Sequence, residues 1–163
     1  MRIPEKSDYL AFFDSRRVAN PLALTLTLKQ RTQGSGLVGG TGRKIDPISI
    51  SQNTRHFLNR VNQSVYSNGF TRYGKRLSVI PIIEGNYSVR YHVHMTLQKP
   101  PFQDHWEFAK LINDCWNKTS LGYKDIDVRT INDYSGWIDY KLKNRTKSEG
   151  IHSSVDWDNV FLH

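Results

Sequence analysis

One cysteine, Cys115, in a chain of 163 residues leaves no partner for a disulfide within the chain. Clusters of zinc held by cysteine thiolates are excluded by the same count. No apolar run reaches the ~20 residues that a membrane-spanning helix needs. The start, Met1 to Arg17, mixes charge with apolar residues and lacks the plan of a signal peptide. A cytoplasmic protein without membrane association is therefore expected. Glycines crowd the stretch from Gln33 to Asp46, but the Lys-Ser/Thr ending of a phosphate-binding P-loop is missing, so a mobile loop is expected there. No internal repeat and no second domain are visible, and residues 1–163 read as one unit. Acidic residues are also scarce. Fifteen Asp and Glu face 23 Lys and Arg, a formal charge of +8 that points to a polyanionic partner.

What is present begins with alternation. Leu22, Leu24, Leu26 and Leu28 interleave with Ala23, Thr25, Thr27 and Lys29, the pattern of a strand with one buried face. A short helix over 7–17, capped by Ser7 or Asp8, precedes it. Ser51 caps a helix reaching about Tyr66, with Phe57, Val61 and Val65 in register at helical spacing. Arg72-Tyr73-Gly74-Lys75-Arg76 forms a basic turn, and Leu77 to Glu84 is a strand apolar on both parities apart from Ser78 and Glu84. Pro81 cannot donate to a ladder, so that strand belongs at a sheet edge. Gly85-Asn86 turns it into a hairpin. Asp104 and Glu107 open a helix through Trp116, and Tyr123 to Thr130 alternates again. A last helix spans 133–146, followed by a polar tail over 147–163 with scattered aromatic residues. From 21 to 130 the order is strand, helix, strand, strand, helix, strand. This is an α+β, ferredoxin-like split βαβ arrangement, an antiparallel sheet with helices on one face and the other face open, extended by a C-terminal helix.

The third strand carries the chemistry. In Tyr91-His92-Val93-His94-Met95-Thr96-Leu97 the apolar residues share one parity and His92, His94 and Thr96 the other. Residues i and i+2 lie on one face about 7 Å apart, so both imidazoles can reach one ion. Alone, such a pair is more often two surface histidines. The hairpin changes this: with Glu84 opposite His92 and Ile82 opposite His94, the carboxylate projects to the imidazole face. A register slipped by one residue would bury that carboxylate among apolar side chains, at a cost that disfavours it. Two imidazoles and a carboxylate suit a divalent ion such as Mn²⁺, Mg²⁺ or Zn²⁺, able to act as a Lewis acid toward a phosphate oxygen.

On a helical wheel Ile131, Ile138 and Leu142 form one stripe, while Tyr140, Lys143, Asn144 and Lys147 lie on the reverse. Tyr140 is thus not needed by the helix's own apolar side. Its hydroxyl, with a usual pKa of about 10, becomes a useful nucleophile only beside a cation, and Lys143 is one turn away. Tyr134 falls on another face, against a paired-tyrosine scheme. Arg72, Tyr73, Lys75, Arg76, Lys141, Arg145 and Lys147 are the candidate nucleic-acid contacts, and Trp137 is a candidate for stacking on a base.

Leu24-Thr25-Leu26-Thr27, Glu84 ahead of His92-Val93-His94, and Tyr140-Lys141-Leu142-Lys143 together resemble the HUH endonuclease superfamily, and within it the single-tyrosine rolling-circle replication initiators. The resemblance covers most of the chain. It implies a nick in single-stranded or hairpin DNA that depends on Mn²⁺ or Mg²⁺. Glu84, His92 and His94 would hold the metal, and Tyr140 would attack phosphorus to leave a 5′-phosphotyrosine link and a free 3′-hydroxyl. Lys143 would assist. With no motor in the chain, a host or element-encoded helicase is implied as partner. A single-strand transposase of the same superfamily and a non-catalytic single-stranded nucleic-acid-binding module are the alternatives.

Overall fold

The structure is a computed structural model that describes residues 2–34, 42–143 and 150–163. Four strands form its antiparallel sheet: β1 (Pro21–Leu28), β2 (Val79–Glu84), β3 (His92–Gln98) and β4 (Gly122–Thr130), in the order β2-β3-β1-β4. Helices α1 (Lys6–Ser15), α2 (Pro47–Tyr66), α3 (Asn68–Tyr73), α4 (His105–Asn117), α5 (Tyr134–Lys141) and the short α6 (Gly150–Ser154) complete it, with a 3-10 turn at Trp157–Asn159. The architecture is α+β, and the strand order is consistent with a ferredoxin-like arrangement. Among the described residues no helix is long and apolar enough to cross a membrane.

The alternation in β1 and β3 is realised in packing. Leu22, Leu24, Leu26, Leu28, Val93, Met95 and Leu97 are all buried against α2 and α4. Helix α2 starts earlier than Ser51 because Asp46 caps it, accepting from the Ser49 amide, while Pro47 occupies the first turn where its missing N–H costs nothing. Its buried side chains, Ile50, Thr54, Phe57, Leu58 and Val61, repeat at three and four residues. Asp104 caps α4, which contributes Phe108, Ile112 and Trp116. The Trp116 ring meets Phe57 edge-on at 5.3 Å, and its Nε1 donates to the Thr27 carbonyl. Pro81 lies on the edge strand β2, as its missing donor requires. The β2–β3 turn leans on Gly85, whose φ of 126° and close approach to the Arg90–Tyr91 backbone leave no room for a Cβ.

Several expectations need correction. The second sheet face is not open: α1 and α5 pack across it, with Tyr9, Phe13, Tyr134 and Ile138 joining Ile80 and Ile82 of β2, Leu142, Ile151 and Val155 in a second apolar cluster. The cause was visible in β2, whose apolar residues on both parities need cover on both faces. The helix at 133–146 ends at Lys141 with Leu142 as its C-cap, and 144–149 lie outside the described residues. The basic turn begins inside a helix: Arg72 and Tyr73 end α3 and Gly74 caps it, with Lys75 and Arg76 beyond. Ser67, at φ 47°, breaks α2, and α3 follows to Tyr73. The C-terminal stretch also does more than trail away. Val155 bridges to Ile82 and Phe161 to Val79 along the outer side of β2, and Asp156 and Asn159 hydrogen-bond Ser51 of α2.

Candidate metal and tyrosine site

Pairing of β2 with β3 sets Glu84 opposite His92 and Ile82 opposite His94, while β1 sets Thr27 and Thr25 opposite the same two histidines. These polar side chains therefore share the second face, beside the apolar cluster, with Lys141 of α5 reaching in to them. Their neighbours explain their state. His94 is buried, with Nε2 3.0 Å from Glu84 Oε2 and Nδ1 3.2 Å from both Thr25 Oγ1 and Lys141 Nζ. Burial above all, then the Lys141 charge, pushes its pKa down to about 4, and the opposing pull of Glu84 does not overcome them. At neutral pH the Glu84–His94 contact is thus a hydrogen bond from neutral imidazole to carboxylate. The partners fix the tautomer: the carboxylate can only accept, so Nε2 carries the proton, and Nδ1 accepts from the ammonium.

A divalent ion fits this donor chemistry. Adjacent ligands around an octahedral ion with bonds of about 2.1 Å stand roughly 3 Å apart, close to the separation of Glu84 Oε2 and His94 Nε2. His92 faces the same way, its ring 6.4 Å from that of His94, centroid to centroid, and 25° from parallel. Among the described residues no set of three His, Cys, Asp or Glu side chains already converges as a metal cluster. Glu84 is engaged with His94, and His92 stands one pleat repeat away.

Tyr140 approaches from α5. Ile138 and Leu142 anchor the helix in the second apolar cluster, and this turns Tyr140 outward, 43% exposed. Lys143 Nζ lies 5.5 Å from the centre of its ring, one residue beyond the Leu142 cap that ends α5. A second cation was not anticipated in this place. Lys141 Nζ lies 5.0 Å from the Tyr140 ring and 4.6 Å from that of Trp137, and it is the same atom that touches His94. Sequence reasoning assigned Lys141 to nucleic acid; the only signal for the other placement was its i,i+4 spacing from Trp137. Trp137 is itself half-buried and donates from Nε1 to Thr96 Oγ1, so it braces α5 on the sheet, with Lys141 over its ring. Tyr134 is buried elsewhere, its hydroxyl accepting from the Val18 amide and its ring under Arg17.

The basic residues divide. Arg72 and Tyr73 end α3, Lys75 follows, and Arg76 reaches Asn59 and stacks over Phe70. They gather at the start of β2, while Glu84 closes it; its six residues separate the two groups by roughly 20 Å. Arg145 and Lys147 lie outside the described residues. Compared with known protein families, curated proteins and solved structures, the chain matches none.

Proposed function

We propose that the protein is an HUH-type endonuclease that nicks single-stranded or hairpin DNA through Tyr140, in the manner of a single-tyrosine rolling-circle replication initiator. One observation carries the reading: Glu84 and His94 meet at 3.0 Å on the polar row, and a single lysine joins that histidine to the ring of Tyr140. The strand order supports taking β1 to β4 with α2 and α4 as a split βαβ core, and α5 as the tyrosine helix. Glu84, His92 and His94 would hold Mn²⁺ or Mg²⁺. When bound, the ion supplies Lewis-acid withdrawal of charge from the scissile phosphate.

The chain's own residues do the rest. Tyr140 Oη attacks phosphorus, and a new O–P bond forms as the bond to the 3′-oxygen breaks. The phenolic proton passes to solvent, and the departing oxygen takes one up as a 3′-hydroxyl. Lys143 and Lys141 set positive charge beside the phenol and the phosphate that meets it. The phosphotyrosine conserves the energy of the broken bond, so a later hydroxyl can rejoin the strand without ATP. The charge of +8 favours the polyanion throughout. A separate helicase would open duplex DNA.

Labelled single-stranded DNA incubated with the protein and Mn²⁺ should yield an adduct that survives a denaturing gel. Tyr140→Phe and EDTA should each abolish it. An adduct that persists in the phenylalanine variant assigns the nucleophile elsewhere.

A further inference from the structure

We infer that Lys141 and the metal ion exclude one another at His94, so that filling the site hands Lys141 from the histidine to Tyr140 and its phosphate. The inference rests on reading Glu84, His92 and His94 as metal ligands. It adds a positioning role for a lysine outside the Tyr140/Lys143 pair.

Donors and acceptors at the imidazole decide the exchange. A neutral imidazole has one N–H and one lone pair. In the present arrangement Nε2 donates to Glu84, and the lone pair of Nδ1 receives Lys141 Nζ and Thr25 Oγ1, each at 3.2 Å. An ion shared by Glu84 and His94 takes the lone pair of Nε2, so the N–H must move to Nδ1. The two neighbours of Nδ1 then fare differently. A threonine hydroxyl accepts as readily as it donates, and Thr25 can hold the ligand in place, as partners on the far nitrogen of metal-bound histidines do. An ammonium has three donors and no acceptor, and it would face both an N–H and a nearby dication. Lys141 must leave. Its aliphatic stem begins at the end of α5, and its ammonium already lies 5.0 Å from the Tyr140 ring, so a change of rotamer suffices. The exchange links occupancy of the metal site to delivery of a cation at the nucleophile.

Calorimetric titration of the full chain with Mn²⁺ tests this without reference to cleavage. Lys141→Met removes the competing ammonium, and Lys141→Gln replaces it with a side chain whose carbonyl can accept from Nδ1; each should bind Mn²⁺ roughly tenfold more tightly than the parent. Lys141→Arg restores a donor-only cation and should return the affinity to within about twofold of the parent. Lys143→Met should leave Mn²⁺ affinity unchanged within about twofold. Both Lys141→Met and Lys143→Met should slow adduct formation. Using two variants guards against one that folds poorly. If Mn²⁺ binds, is weakened by His92→Ala, and yet binds Lys141→Met and Lys141→Gln no more tightly than the parent, the exchange is wrong and the metal centre stands. If Mn²⁺ binds none of these proteins, the metal reading and the exchange fall together.

Discussion

Alternate residues of one strand meet two different environments. Val93, Met95 and Leu97 of β3 enter a layer sealed by α2 and α4, where any well-shaped apolar side chain would satisfy its surroundings. His92, His94 and Thr96 face the layer of α1 and α5, where His94 and Thr96 are buried too and depend on named partners: Glu84, Thr25 and Lys141 for His94, and Trp137 for Thr96. The first face is held by volume. The second adds to its own apolar cluster around Ile80 and Ile82 a set of matched hydrogen bonds, which are specific in direction and can be exchanged for others. Chemistry that swaps partners can therefore occupy the second face without loosening the first.

The largest effect is expected on the sealed side. Trp116→Ala removes a fully buried ring, and with it the Phe57 contact, and should cost about 3–5 kcal/mol of unfolding free energy in urea. A loss under about 1 kcal/mol would mean that the α2–α4 layer is not the main core. On the polar side the lever is pH. His94 has its pKa depressed to about 4 in the folded chain, against about 6.5 when unfolded. The unfolded state thus takes up the proton first, and stability, complete above pH 6.5, should fall as pH drops toward 4. The loss should be on the order of 3 kcal/mol in metal-free protein, and His94→Gln should flatten that slope. The smallest effect belongs to the exposed rim of the same face, where Arg129 pairs with Asp127 at 2.6 Å. Arg129→Ala should shift stability by less than about 1 kcal/mol, because both groups are open to water. Thermal unfolding at low and high salt would detect anything larger.

Much of this was written locally in the sequence. The period of two in Tyr91 to Leu97 announced which residues would enter the apolar layer, though not that His94 and Thr96 on the other parity would be buried as well, and the cost of burying Glu84 predicted the observed register with His92. Pro81 placed β2 at the edge. What escaped depends on contacts between distant segments. Nothing near Tyr9 or Phe13 says that α1 will pack on Ile80 and Ile82, and nothing near Val155 or Phe161 says that they will join β2. The lysine at His94 escaped for another reason. Position on a helical wheel gives the direction of Cβ, whereas a lysine's charge sits at the end of a long stem and is set by what lies within reach. So Lys143, read as one helical turn from Tyr140, lies over its ring although α5 ends before it, and Lys141, read as a surface contact, lies against the strand.

The bridges from Val155 and Phe161 to β2 have a consequence for self-association. The outer edge of β2 lies beside Glu84 and would otherwise offer unpaired amides and carbonyls to a strand from another molecule. Asp156 N–H donates to the Pro81 carbonyl, and Val79 and Phe161 exchange hydrogen bonds in both directions, so that rim is already taken. The opposite rim, β4, is guarded differently, by Lys124, Asp125, Asp127 and Arg129 along its length. One border is closed by the chain's own backbone and the other by charge, which directs any added strand away from the histidines.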